Sequence, residues 1–126
     1  MFTLEFEEAY PILLVRFSGV LMPKDIFQID QVVVDAIAWG GPLHGLLFDF
    51  SSVQAVGIPQ TFIALRASLP PIAPDCKRVF VVPTDEVRKL AQEYVTLQRG
   101  YGTKAPSVVQ SVFEAYEALQ VERPNF

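Results

Sequence analysis

A single histidine, His44, and a single cysteine, Cys76, are the chain's entire stock of imidazole and thiol chemistry. Any Ser-His-Asp or Cys-His arrangement has to use His44. That residue directly precedes Gly45 and the apolar run Leu46 to Phe50, so it falls at the N-terminal end of a strand. Open α/β sheets hold ligands at the carboxyl ends of their parallel strands, which makes His44 a surface residue at the wrong edge. Cys76 sits in a proline-flanked loop beside Lys77 and Arg78. Neighbouring cations lower a thiol pKa, but there is no resolving cysteine and no positioned histidine, so it reads as an unreactive loop thiol. Replacing either residue is expected to cost under about 1 kcal/mol, as surface changes do.

No C-x-x-C, no H-x-x-x-H and no paired acidic motif supplies converging metal ligands, so neither a metal nor another cofactor is expected. The run Arg99-Gly100-Tyr101-Gly102-Thr103-Lys104 has a superficial look of a phosphate loop. It lacks the G-x-x-x-x-G-K-[ST] spacing and follows a helix rather than a strand, and helix termination accounts for its glycines. One polar group remains at the edge where α/β sheets work: Asp49, Ser51 and Ser52 after one buried-type strand, Thr84 and Asp85 after the next. Turns and helix caps use the same residue types, and that is the plainer account of them.

The elements that would carry these residues follow from periodicity. Phe2 to Phe6 alternates and Ile12 to Phe17 is densely apolar, with turn residues from Glu7 to Pro11 between them, which predicts an antiparallel hairpin. Pro23 opens a helix carrying Ile26, Ile29, Val33 and Ile37, and Gly40, Gly41 and Pro42 stop it. Leu46 to Phe50 and Val79 to Val82 are strands of the doubly buried kind, separated by a helix from about Pro59 to Ser68 and a loop with Pro70, Pro71 and Pro74. A third helix begins at Pro83 and Thr84 with Asp85 and Glu86 in its first turn, and its core face is Val87, Leu90, Tyr94 and Leu97. Ser107 to Val109 supplies a short last strand, and Ser111 and Glu114 have capping-box spacing for a final helix to about Val121. The order ββαβαβα, then βα, implies a mostly parallel sheet with helices packed on its faces, in one domain over residues 1–126.

Composition narrows the function. The net charge is −4 and the basic residues are scattered, which argues against nucleic acid as a partner. The longest uncharged run, Phe50 to Leu65, holds too many polar residues to cross a bilayer, and Glu5, Glu7 and Glu8 stand where a secretory signal would be basic and apolar. A lone thiol is compatible with a cytoplasmic location. Apolar residues reach 51% without glycine, against about 45–50% with glycine in ordinary domains, so some are expected to be covered by a partner or an apolar ligand.

The run Leu47-Phe48-Asp49-Phe50-Ser51-Ser52-Val53-Gln54-Ala55-Val56 resembles the strand and turn that precede the regulatory helix of STAS domains, bacterial-type regulatory modules of which the SpoIIAA-like branch is a divergent part. Two more stretches resemble that branch: Arg16-Phe17-Ser18-Gly19-Val20-Leu21 leading into Pro23-Lys24-Asp25, and the closing Ser111-x-x-Glu114-Ala115-x-x-Ala118-Leu119. The resemblance implies a SpoIIAA/STAS-like fold and a non-enzymatic regulatory or protein-binding role. In regulatory STAS domains a phosphorylatable serine follows an aspartate at the start of that helix; the corresponding places fall near Gly57 and Ile58, and neither residue type is there. A relation to SEC14-type folds implies the alternative of a small carrier of an apolar ligand or lipid.

The expected contact surface is the second helix and its approach: Val56, Ile58, Phe62, Ile63 and Arg66. Ile58, Phe62, Leu65 and Leu69 already form an apolar stripe for the sheet, which leaves Ile63 pointing elsewhere, toward a second copy of the chain or another protein.

Overall fold

The computed structural model describes residues 1–7, 11–71, 73, 76–102 and 104–119. The alternating start of the chain forms β1 (Phe2–Glu7), antiparallel to β2 (Ile12–Leu21), with Phe2 opposite Phe17 and Glu7 opposite Ile12. Of the turn expected between them, Glu8 to Tyr10 lie outside the described residues. Helix α1 (Pro23–Gly40) starts with proline in its first turn, where no N–H is needed. Asp25, buried in that first turn, accepts the Met22 N–H at 2.9 Å and the N-terminal ammonium at 3.0 Å. Burial works to raise the Asp25 pKa, but the Met22 hydrogen bond, the ammonium and Lys24 outweigh it and hold the group below its ordinary value.

The remaining elements are β3 (Gly45–Val56), α2 (Gln60–Ser68), β4 (Lys77–Val81), α3 (Asp85–Gly100), β5 (Ser107–Val109) and α4 (Val112–Leu119). They form a five-stranded sheet in the order β1-β2-β3-β4-β5, parallel from β2 onward. This is the expected α/β architecture. The capping box before α4 forms as its spacing predicts, the Glu114 N–H donating to Ser111 Oγ and the Ser111 N–H to Glu114 Oε2, both at 3.2 Å. Val121, the expected end of that helix, lies outside the described residues.

One expectation is corrected here. No turn follows Phe50: β3 runs on through Ser51 and Ser52 to Val56, paired with Ser18 to Leu21 of β2. Register shifts on either side of Gly19 let the two strands stay together past the main sheet, and Gly19 takes φ +72°, a conformation glycine adopts without strain.

Topology then decides where the helices lie. Each crossover steps to the next strand in the same direction, so right-handed connections put α1, α2 and α3 on a single face. Their core includes Leu13, Val15, Phe17, Leu46 and Phe50 of the sheet with Ile29, Val33, Val87 and Ala91. The opposite face, Ile12, Leu14, Leu47, Val79 and Val81, is covered by Ala115, Tyr116 and Leu119 of α4.

Candidate functional site

Phe17, Phe48, Phe50 and Phe80 form an aromatic floor on the three-helix face of the sheet. Phe17 and Phe50 stack at 5.0 Å between centroids, and Phe80 meets Phe48 and Phe50 edge to face at 5.4 and 5.7 Å. Above the floor is an apolar cavity of about 110 Å³, walled by Ile29 and Val33 of α1, Ile63 of α2, and Leu90 and Tyr94 of α3. The buried side chains of α2, Ile63 and Ala67, cluster with Tyr94 rather than joining the main core, which leaves the space beneath.

Helix α2 is tied to α1 by two side-chain contacts. Phe62 meets Phe27 edge to face at 5.3 Å. Arg66, only 9% exposed, donates from Nε to Asp30 Oδ2 at 3.0 Å and from Nη2 to Asp30 Oδ1 at 3.2 Å. Its Nη1 is buried with no hydrogen-bond partner among the described residues.

This geometry corrects the face assigned to α2. Ile63 is 7% exposed and Arg66 is buried too, so neither belongs to an outer surface, whereas Leu65 is 58% and Leu69 47% exposed. Both faces of the helix are apolar, and hydrophobic spacing alone cannot choose between them. The choice falls to Asp30, 36 positions away, which gives Arg66 a partner and so lets the helix turn its one charge inward. Of the other residues expected on this surface, Phe62 and Ile58 are half-buried and line the cavity, and Val56 is half-buried at the end of β3.

The polar edge divides. Asp49 is buried on the α4 face, where its Oδ1 accepts the Ser51 N–H at 2.9 Å and the Ser51 hydroxyl at 2.5 Å. Arg16 reaches Asp49 at 3.7 Å and also pairs with Glu5. Ser52, Thr84 and Asp85 are exposed, and among the described residues nothing links Thr84 or Asp85 to Asp49. Asp85 pairs instead with Arg88 at 3.5 Å, and Thr84 is the N-cap of α3. The serine proton is thus held by a carboxylate that an arginine already engages, with the only imidazole at the far end of β3. There His44 Nε2 lies 3.0 Å from the Leu119 carbonyl oxygen.

Cys76 departs from its reading as a surface thiol. It is buried in the main core and donates to the Lys77 carbonyl at 3.4 Å. Burial pushes its pKa up to about 11, against the smaller opposing pull of Arg78 and Lys104. Gln98 was also missed by reading its helix for apolar residues: it is fully buried, donating to the Tyr94 hydroxyl at 2.9 Å and accepting from Arg78 at 3.3 Å. Among the described residues no group of three or more His, Cys, Asp or Glu side chains could hold a metal ion, and no helix is long and apolar enough to cross a membrane.

No protein-family model matches the chain, and no curated protein matches it. Solved structures do. The anti-sigma factor antagonist SpoIIAA in its unphosphorylated form superposes with a TM-score of 0.62 at 16% identity, over 97% of this chain and 100% of its own. This chain has the SpoIIAA-like fold. An uncharacterized DUF3478-family protein with that fold, from Shewanella loihica PV-4, matches with a TM-score of 0.57 at 15% identity, over 94% of this chain and 92% of its own. Within the SpoIIAA-like fold, Gly57 and Ile58 stand immediately before Pro59, the N-cap of α2. A Cβ at Gly57 would come within 2.5 Å of Met22 Sδ. A side chain there would have to displace the methionine.

Proposed function

We propose that this chain is a non-enzymatic regulatory module of the STAS type that acts by protein contact, first of all with a second copy of itself, through the outward row of α2. The observation that carries the reading is the character of that row. Gln60, Thr61, Ala64, Leu65, Ser68 and Leu69 are exposed and none is charged, in a chain of net charge −4. An uncharged helix face that exposes Ala64, Leu65 and Leu69 can meet its own image across a twofold axis without opposing like charges. In this reading no phosphorylation switch operates at Gly57 and Ile58, and the module works in the cytosol, where a lone thiol stays reduced.

Sedimentation velocity tests it. The wild-type chain is expected to show a concentration-dependent dimer, and Leu65→Asp to weaken it roughly tenfold or more with an unchanged circular dichroism spectrum, since a charge buried at the contact has no partner. A wild type that stays monomeric at high concentration overturns the self-association, and a Leu65→Asp variant that dimerises as well as wild type removes α2 from the contact.

A further inference from the structure

We propose that the cavity beneath α2 binds a compact apolar molecule bearing a single carboxylate, with the carboxylate on the free side of Arg66. A guanidinium that binds one carboxylate through Nε and Nη2 has its Nη1 on the other side, and in Arg66 that nitrogen is buried with no partner among the described residues. Buried N–H groups are nearly always hydrogen-bonded, so an orphaned donor on a residue that lines the cavity calls for an acceptor beyond the described residues, which a bound molecule would supply.

Charge selects which acceptor. The described lining residues include two guanidiniums, Arg66 and Arg78, and one carboxylate, Asp30. A ligand carboxylate would share Arg66 with Asp30, which by itself leaves one negative charge over; Arg78, which donates to the neutral oxygens of Gln98 and Lys104, supplies the balancing charge. A cationic ligand would find no such balance. Size and surface select the body. About 110 Å³ is near the scale of an engineered apolar cavity of roughly 150 Å³ that accepts benzene, and the floor of Phe17, Phe48, Phe50 and Phe80 offers edges and faces to a ring. A single-ring aromatic acid meets both requirements.

Three probes of one size separate the contributions: benzoate, benzyl alcohol and benzylammonium, each titrated against the full chain by calorimetry and by methyl NMR. Benzoate is expected to bind saturably, roughly tenfold tighter than benzyl alcohol because its hydrogen bond is charge-assisted. Benzylammonium is expected not to bind, and the shifted methyl resonances are those of Ile29, Val33, Ile63 and Leu90. Arg66→Met should abolish the preference for benzoate over benzyl alcohol. Should that variant fail to fold, Asp30→Asn is the second test: it removes the competing carboxylate and should widen the preference. The proposal is overturned if no probe binds saturably, if the shifts lie outside the cavity, or if the benzoate preference survives Arg66→Met and disappears in Arg78→Met. An octanoate control that binds where benzoate does not would overturn the compact body.

Discussion

Cys76 is set by two opposed influences, and their sizes decide its chemistry. Arg78 and Lys104 draw the thiol toward ionisation, but it is folded into the core and burial prevails, to a pKa of about 11 from an ordinary 9.0. A raised folded-state pKa means that the unfolded chain gives up its proton first as pH rises. The contribution of Cys76 to stability is therefore complete below about pH 9 and is lost as pH climbs toward about 11. Urea unfolding from pH 8 to pH 11 should show falling stability in wild type and a shallower fall in Cys76→Ala; equal slopes would remove the thiol as the cause. The chain's pattern could place Cys76 in a loop, since Pro70 and Pro71 announce one. It could not show the loop turning inward, because that depends on packing against residues distant in sequence. His44 was legible for the opposite reason: its position at the head of a strand is a local fact, and the strand forms there.

At the scale of the element, α2 is where local pattern and tertiary structure part. Its nine residues hold one charge and apolar side chains all round, so period and propensity are satisfied by either orientation. The Arg66–Asp30 pair and the Phe62–Phe27 contact select one of them. Substitutions read the choice directly. Ile63→Asp places an unpaired carboxylate among Ala67 and Tyr94 and should destabilise the fold by about 3 kcal/mol or more, whereas Leu65→Asp should leave monomer stability within about 0.5 kcal/mol. Denaturation midpoints in the reverse order would restore the face that spacing suggested. By contrast α3 declared its face in advance, with polar residues on the far side. Only its spacing drifted: Val87, Ala91, Tyr94, Val95 and Gln98 are buried, and Leu90 and Leu97 are half-buried at the flank toward α2.

At the scale of the molecule, element order was enough to give the sheet, because short parallel crossovers leave few topologies. The one-directional strand order carries a further consequence. Three helices share one face, and the shortest of them, α2, closes the cavity with the least support. It has no acid in its first turn, and its buried apolar residues, Ile63 and Ala67, cluster with Tyr94 outside the main core. Helices of this length are marginal without tertiary packing. α1 is anchored by Asp25, Ile29 and Val33, and α3 starts behind Asp85 and Glu86 and packs into the main core through Val87 and Ala91. Local opening should therefore begin at α2. Native-state hydrogen exchange at low protein concentration, where self-association is slight, should give Ala64 to Ser68 opening free energies well below those of α1 and α3. Leu14, Leu47 and Val79 in the central strands should exchange only by global unfolding. Raising the protein concentration should slow exchange in α2 alone if its outer row is the contact surface, and benzoate should slow it at fixed concentration if the cavity is occupied. If α2 exchanges as slowly as β3 under dilute, ligand-free conditions, it belongs to the global folding unit.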